Sequence, residues 1–223
     1  MLILGIDDSG RGPVIGPMIM AGCLIDSELE KEFRQEGVKD SKKLIDKRRE
    51  TLAEIVRNKA LSYNIIVISP REIDGRTNAG INLNRIEAIK AADIINSTNK
   101  GFDKIKVVVD CPSPNIEKWT NTLKAYVDKK DNLEFVVEHK ADVNHIACSA
   151  ASIIAKSQRE KEVRKIKRAI GKDFGSGYPS DPVTCKFLSE YAKEHKKDGI
   201  FRETWATWKN SCSIKEQKKL DSF

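Results

Sequence analysis

The chain contains short apolar runs bounded by Gly, Pro and Asp, a pattern that is typical of buried β-strands. The first run, residues 2–6, ends in a pair of aspartates and is followed by a Gly/Pro-rich turn. A second apolar stretch, 14–24, is long enough to hold a strand that forms a hairpin with the first. Further runs at 63–68, 105–109 and 133–138 predict three more strands.

Between and beyond these runs, apolar residues recur at helical spacing. The predicted helices are 46–59, 81–95, 115–127, 141–170 and 183–197. The charged stretch 27–36 is either a loop or a short helix. Since a hairpin comes first and strands then alternate with helices, the pattern predicts an α/β fold with a mixed sheet, antiparallel at one side and parallel at the other, with flanking helices.

Charge is distributed unevenly along the 223 residues. Residues 156–223 hold 17 Lys and Arg against 10 Asp and Glu, which accounts for the whole net charge of +7. A basic segment beside a neutral one indicates a polyanionic partner such as nucleic acid, although a well-solvated helical face explains it equally well. Because the charge balance changes near Gly171, we expect a catalytic domain over 1–170 and a small basic helical region over 171–223 packed on it.

Cysteine usage and the chain start bear on the compartment. The chain has five cysteines and no CxxC pair, which argues against a disulfide framework or a zinc ribbon and indicates a reducing environment. The first residues lack the basic start of a signal peptide, and no apolar run reaches the length of a membrane span. We therefore expect a soluble, cytoplasmic protein with no membrane partner, and a monomer.

Aspartates follow three of the predicted strands. Asp7, with Asp8 beside it, follows the first strand, Asp110 follows the strand at 105–109, and Asp142 comes shortly after the last strand. In open α/β sheets, ligands gather outside the carboxyl ends of the strands, so these carboxylates are expected to converge. Converging carboxylates take up protons or bind a cation, and Mg²⁺ prefers such oxygen ligands.

Each of these aspartates also has a structural explanation. Asp142 and Asp110 are typical of helix caps and turns, and Arg11 could pair with Asp7 and Asp8 in a salt bridge. If the carboxylates instead hold two divalent ions, the chemistry they predict is phosphodiester hydrolysis, in which the ions activate water and stabilise the leaving oxygen.

Several segments together resemble one protein family. Residues 5–17, GIDDSGRGPVIGP, resemble the opening of ribonuclease HII, the type 2 ribonuclease H. Residues 40–44 (DSKKL), 108–110 (VVD), 139–142 (HKAD) with 149–156 (SAASIIAK), and 175–181 (GSGYPSD) resemble its later motifs in the same order. Thr204-Trp205 is similar to the C-terminal Trp segment of archaeal members, so the resemblance covers nearly the whole chain.

The resemblance implies a ribonuclease H-like fold and a metal-dependent endonuclease. Its substrates would be the RNA strand of RNA/DNA hybrids and ribonucleotides embedded in duplex DNA, cut on their 5′ side to give 3′-OH and 5′-phosphate ends. It implies Mg²⁺ or Mn²⁺, held by residues that are also the catalytic ones: Asp7, Asp8, Asp110 and Asp142. It assigns ribose 2′-OH recognition to Gly10, Arg11 and Gly12, stacking to Tyr178, and phosphate binding to Ser41 and Lys42.

One position departs from the family pattern. The family usually has Glu where this chain has Asp8, which is shorter by one methylene, roughly 1.5 Å of reach. Because Mg²⁺ demands near-ideal geometry, we expect retained but altered activity with a stronger preference for Mn²⁺. Two alternatives stay open: a hybrid-binding module in which Asp8 impairs catalysis, and a related nuclease that resolves DNA junctions.

The end of the chain loosely resembles a sliding-clamp-binding peptide. Residues 217–223, QKKLDSF, have a Gln, an aliphatic residue three positions later and a single terminal Phe where such peptides usually carry two aromatic residues. The segment therefore suggests a sliding clamp as a possible partner, and a frayed basic tail is the alternative interpretation.

Overall fold

The computed structural model describes residues 1–38 and 46–211. A five-stranded sheet has the order β3-β2-β1-β4-β5. Its strands are β1 (Leu2–Ser9), β2 (Met18–Ile25), β3 (Ser62–Ile68), β4 (Ile105–Asp110) and β5 (Leu133–Glu138). Strand β1 is antiparallel to β2 and parallel to β4, which is parallel to β5. The predicted mixed sheet, with its hairpin on one side, is confirmed.

Helices flank the sheet. Their bounds are α1 (Ser27–Gln35), α2 (Asp46–Lys59), α3 (Pro70–Asn78), α4 (Leu83–Thr98), α5 (Ile116–Ala125), α6 (Ala141–Asn144), α7 (Ile146–Ile170) and α8 (Pro182–Tyr191). The open question at 27–36 is decided as a helix, because the Asp26 carboxylate caps α1 by accepting from the N–H groups of Glu28 and Leu29. Among the described helices, none combines the length and apolarity needed to span a bilayer.

The long helix predicted over 141–170 is wrong in one respect, because it is interrupted. His145 is extended, with φ −127° and ψ 125°, and separates α6 from α7. Lys140, just before α6, is in the left-handed region at φ 62°. Periodicity does not register a one-residue break between two helical stretches, so the pattern of apolar residues predicted one continuous helix.

One other helix prediction needs correction, and one helix was missed. The helix predicted over 183–197 ends at Tyr191, and a short 3-10 turn at Lys196–Asp198 follows it. Helix α3 was not predicted, although Ser69 caps it and Pro70 occupies its first turn. Ser followed by Pro is a recognised helix start; the sequence interpretation took the same pair only as the end of a strand.

The chain forms two compact units. The first contains Met1–Ser9, the described part of Ile19–Val67, and Asn82–Arg159; the second contains Gly10–Met18, Ile68–Ile81 and the described residues from Glu160 onward. This division differs from the expected boundary near Gly171, because two early segments join the C-terminal region. The assignment of catalysis to 1–170 stays a prediction.

The core of the first unit packs small residues of α7 against the sheet. Ala147, Ala150 and Ala151 lie in one buried cluster with Ile19 and Ala21 of β2. Gly5 of β1 makes the closest approach, since a Cβ there would overlap the backbone of Ala147 and Cys148. Helix α7 therefore lies directly against β1, the strand that carries Asp7 and Asp8.

The second unit has its own aromatic core. Phe174, Phe187, Phe201 and Trp208 are buried there with Val14 and Ile15 of the early segment. The rings of Phe201 and Trp208 stack with centroids 4.4 Å apart. The segment that follows β1 in the sequence is thus anchored in the C-terminal unit.

Candidate active site

Three of the four predicted acidic residues meet in the first unit. Asp7, Asp110 and Asp142 each offer a carboxylate oxygen, and these oxygens lie within 4.8 Å of one another. Strand register explains two of them: Ile6 pairs with Val109 in the parallel strands β1 and β4, so Asp7 and Asp110 follow at equivalent positions. Asp142 lies in α6, which follows β5 in the chain.

The surroundings of the cluster disfavour unpaired negative charge. Asp7 is 5% exposed and Asp142 2%. Burial raises the pKa of Asp7 well above its usual value, and the neighbouring charges of Asp8 and Asp110 raise it further. A divalent cation relieves both effects, and the oxygen-only set of donors fits a hard ion such as Mg²⁺ or Mn²⁺.

Hydrogen bonds fix the orientation of the carboxylates. The N–H of Asp8 donates to Oδ1 of Asp7 at 2.7 Å, and the Ser152 hydroxyl also hydrogen-bonds this carboxylate, which opposes the rise in its pKa. The N–H of Ala141 donates to Oδ1 of Asp110 at 3.1 Å. The cluster is therefore built by backbone and side-chain donors as well as by strand register.

Two α7 residues support the cluster, and the sequence interpretation gave them no such role. The thiol of Cys148 donates to the carbonyl of Ile6 at 3.1 Å. Burial, followed by the charges of Asp7, Asp110 and Asp142, raises the thiol's pKa, so it stays protonated and remains a donor. Cys148 and Ser152 are four residues apart and so lie on one helix face. The sequence shows this spacing, because Cys148 directly precedes the segment SAASIIAK, in which Ser152 is the fourth residue.

Asp8 occupies a different position from Asp7. Asp8 lies within β1, where it pairs with Met20 of β2. Because successive side chains of a strand point to opposite faces, the Asp7 and Asp8 side chains point to opposite faces of the sheet. The group of three carboxylates within 4.8 Å does not include it. Its charge still acts on Asp7, as the raised pKa of that carboxyl shows. A ligand role for Asp8 stays a prediction.

Residues 10–16, the glycine loop, and residues 175–181, the tyrosine loop, meet in the second unit. A Cβ at Gly12 would lie 3.4 Å from Cε1 of Tyr178, which is ordinary van der Waals contact with the ring. The carbonyl of Gly177 accepts from the N–H of Val14 at 2.8 Å and from that of Ile15 at 3.3 Å. Of the predicted substrate-binding residues, the structure brings Gly12 and Tyr178 together; the binding roles of Gly10, Arg11, Gly12 and Tyr178 stay predictions.

Asp181 braces the tyrosine loop. Its Oδ2 accepts from the N–H and the hydroxyl of Ser176 at 2.6 and 2.7 Å, and its Oδ1 accepts from the N–H of Val183. These hydrogen bonds, led by that from the Ser176 hydroxyl, lower the pKa of Asp181 to about 2. Tyr178 itself is 37% exposed, so its ring is available to a ligand.

Two predicted functional segments lie outside the described residues. These are Ser41 and Lys42, assigned to phosphate binding, and the clamp-like segment 217–223. Both assignments stay predictions.

The motifs and the geometry agree with comparisons to known proteins. The family model described as Ribonuclease HII matches residues 4–208. Ribonuclease HII of Methanocaldococcus jannaschii is 39% identical over 99% of both chains. Ribonuclease H2 of Pyrococcus horikoshii superposes with a TM-score of 0.84 at 38% identity, over 95% of this chain and 97% of that one.

A further solved structure is the PCNA:RNase HII complex of Archaeoglobus fulgidus. It matches with a TM-score of 0.81 at 37% identity, over 92% of this chain and 95% of that one. The matched range includes all three clustered aspartates, the glycine loop and Tyr178. This chain therefore belongs to the ribonuclease HII family, metal-dependent ribonuclease H endonucleases that act on RNA/DNA substrates.

Proposed function

We propose that this enzyme hydrolyses the RNA strand of RNA/DNA hybrids and cuts 5′ of ribonucleotides embedded in duplex DNA. The observation that carries the proposal is the convergence of Asp7, Asp110 and Asp142, whose carboxylate oxygens lie within 4.8 Å of one another. The cleaved bond is the one between phosphorus and the 3′ oxygen, so the products are a 3′-OH and a 5′-phosphate.

The acidic residues act by holding metal. Bound Mg²⁺ or Mn²⁺, as a pair, would supply an activated water and stabilise the leaving 3′ oxygen. Asp7, Asp110 and Asp142 provide the carboxylates, and we propose Asp8 as a fourth. The Ser152 hydroxyl and the Asp8 N–H keep the Asp7 carboxylate oriented. The water oxygen bonds to phosphorus as the P–O3′ bond breaks, and the proton lost by the water balances the proton taken up by the departing 3′ oxygen.

The glycine loop and Tyr178 supply selectivity in this proposal. The 2′-OH is both a donor and an acceptor, and it distinguishes RNA from DNA. Backbone groups of Gly10, Arg11 and Gly12 can reach it because no side chain stands in the way at the two glycines. The Tyr178 ring, which lies beside Gly12, offers a face for a sugar or base. Ser41 and Lys42 would hold phosphates.

A cleavage assay with three substrates tests the proposal. They are duplex DNA with one ribonucleotide, an RNA/DNA hybrid and a four-way DNA junction, each in Mg²⁺ and in Mn²⁺. We expect cleavage of the first two, with the cut 5′ of the ribonucleotide. Asp110→Asn should abolish it, while Asp128→Asn, at an exposed carboxylate, should not. Cleavage of the junction alone would replace the proposal with a resolving nuclease, and binding without turnover would replace it with a hybrid-binding module.

We also propose cellular partners. The relative from Archaeoglobus fulgidus was solved with PCNA, which supports residues 217–223 as a sliding-clamp segment in this chain. The enzyme would act as a cytoplasmic monomer in replication and ribonucleotide repair. A pull-down with the clamp tests the first point: Phe223→Ala should abolish capture, and unchanged capture would leave 217–223 as a basic tail. Size-exclusion chromatography with light scattering tests the monomer.

A further inference from the structure

Arg202 is fully buried in the second unit, and its guanidinium is directed at the carbonyls of the glycine loop. Nη2 donates to the carbonyl of Gly10 at 2.6 Å, and Nη1 donates to that of Arg11 at 2.7 Å. Nε and Nη2 donate to the carbonyl of Gly16 at 3.2 and 3.1 Å. One side chain thus closes both ends of the loop between residues 10 and 16.

The rest of the residue is equally fixed. The N–H of Arg202 donates to the carbonyl of Val14 at 2.9 Å, and the guanidinium carbon lies 5.0 Å from the centroid of the Trp205 ring. A buried charge is costly unless its donors are satisfied, and charge-assisted hydrogen bonds are the stronger ones. If the loop moved, the buried guanidinium would lose these hydrogen bonds and its charge would be left unsatisfied. Arg202 therefore disfavours other conformations of the loop.

The direction of these carbonyls also fixes the direction of the N–H groups on the other side of the loop. The described chain has no cis peptide bonds, and in a trans peptide the C=O and the following N–H point in opposite directions. With the carbonyls of Gly10 and Arg11 turned toward Arg202, the N–H groups of Arg11 and Gly12 point away from it. Successive N–H groups directed to one side form the kind of concavity that receives oxygen atoms.

We propose that Arg202 is a positioning residue for ribose recognition. It would hold Gly10, Arg11 and Gly12 in the conformation that reads the 2′-OH without touching substrate itself. This inference rests on the proposed role of that loop. It predicts that discrimination between ribonucleotide and deoxyribonucleotide depends on a side chain almost two hundred residues away in the sequence.

The geometry requires arginine rather than lysine. A guanidinium presents five N–H donors in a planar fork, whereas an ammonium is a compact point charge on a flexible stem. Arg202 uses three nitrogens for three carbonyls. Lysine would keep the charge but reach fewer carbonyls, so Arg202→Lys should preserve only part of the effect, and Arg202→Gln should preserve less.

The test compares two constants for each variant. One is KM for a duplex with a single ribonucleotide, and the other is the inhibition constant of the same duplex made entirely of DNA, added as a competitor. Arg202→Gln should raise KM about tenfold while the inhibition constant changes less than twofold, with Arg202→Lys between it and the parent. Arg48→Gln is the matched control, because Arg48 also donates to a backbone carbonyl, that of Glu36 at 2.8 Å, but lies in the first unit.

Each outcome decides a different point. Equal constants in the parent enzyme would overturn ribose recognition by the loop, and this inference with it. If the parent enzyme discriminates between ribonucleotide and deoxyribonucleotide, and the folded Arg202 variants discriminate to the same extent, the positioning role of Arg202 is wrong. Ribose recognition by the loop would then still stand. If Arg202→Gln shows no cooperative thermal unfolding, Arg202→Lys decides. If neither variant folds while Arg48→Gln does, Arg202 serves the fold in general and a specific positioning role is wrong.

Discussion

At the scale of single residues, Asp7 combines burial with negative neighbours, and both raise its pKa. A carboxyl whose pKa is raised in the folded state destabilises the fold at any pH above its unfolded pKa; this penalty shrinks as the pH falls below the folded pKa and is gone below the unfolded pKa. Functional sites often retain such unfavourable groups because activity needs them.

Asp7→Asn should make the metal-free protein more stable at neutral pH while abolishing cleavage. The amide removes the ionised form and keeps an oxygen for the Asp8 N–H, so we expect Tm to rise by roughly 2–4 °C, equivalent to about 1 kcal/mol for a chain of this size. The difference from the parent should shrink as the pH falls. Thermal unfolding in EDTA and in Mg²⁺ measures this, with exposed Asp128→Asn as control; a lower metal-free Tm for Asp7→Asn would contradict it.

Asp8→Glu should shift the metal preference. The longer side chain restores the reach that the family pattern has at this position, so the rate in Mg²⁺ should rise relative to the rate in Mn²⁺. Initial rates on the single-ribonucleotide duplex in both metals measure the ratio. If the ratio is the same in the parent and in Asp8→Glu, the length of this side chain does not govern the metal site.

At the scale of elements, the close contact between β1 and α7 supports the acidic cluster. Gly5 leaves no room for a Cβ against Ala147 and Cys148. This close approach lets Cys148 reach the carbonyl of Ile6 and Ser152 reach the carboxylate of Asp7. Strand and helix therefore act together: the strand carries the Asp7 carboxylate, and the helix holds it in place.

Gly5→Ala should separate these elements and reduce both stability and activity. Overpacking typically destabilises by about 1–3 kcal/mol, and the obstruction here is backbone, which cannot rotate away. Gly75→Ala is the control, because a Cβ in that helical position of α3 meets nothing within 4 Å and alanine favours a helix by about 1 kcal/mol over glycine. Chemical denaturation and cleavage rates of both variants measure the contrast; a Gly5→Ala enzyme as stable and active as the parent would contradict it.

At the scale of the whole molecule, the basic charge is concentrated in residues 156–223. In the second unit, a cavity of about 660 Å³ is lined by four cationic residues, Arg71, Lys196, Lys197 and Lys209, together with Asp74 and Glu203. The Asp74 carboxylate accepts from the N–H groups of Glu203 and Thr204, so it is engaged in holding the backbone. The surplus of positive charge suits the phosphate backbone of a duplex.

Replacing Lys196, Lys197 and Lys209 by Gln together should weaken duplex binding and its salt dependence. Each lysine that no longer neutralises a phosphate reduces the slope of log K against log salt by about 0.9. Substitution isolates this effect better than truncation after Gly199, because Phe201 and Trp208 beyond that point belong to the core. Binding titrations across salt concentrations measure the slope, with three exposed lysines of the first unit, Lys31, Lys100 and Lys104, changed to Gln as control. Equal slopes for the two triple variants would remove the assigned role.

Sequence patterns were sufficient where structure is local. Helix α2 has the predicted bounds, and the five strands lie where the apolar runs are, because periodicity and bounding residues act within a few positions. Asp7 and Asp110 could also be predicted as neighbours, since parallel strands bring their carboxyl ends to one edge.

The long-range contacts were decided only by the tertiary structure. Arg202 reaches the carbonyl of Gly10 across 192 residues, and Cys148 reaches that of Ile6 across 142. The interruption at His145 and the closeness of α7 to Gly5 likewise leave no trace in periodicity. Local propensity fixes which residues form an element and which side chains end it, whereas packing between distant segments determines which of those side chains share a volume of a few ångströms.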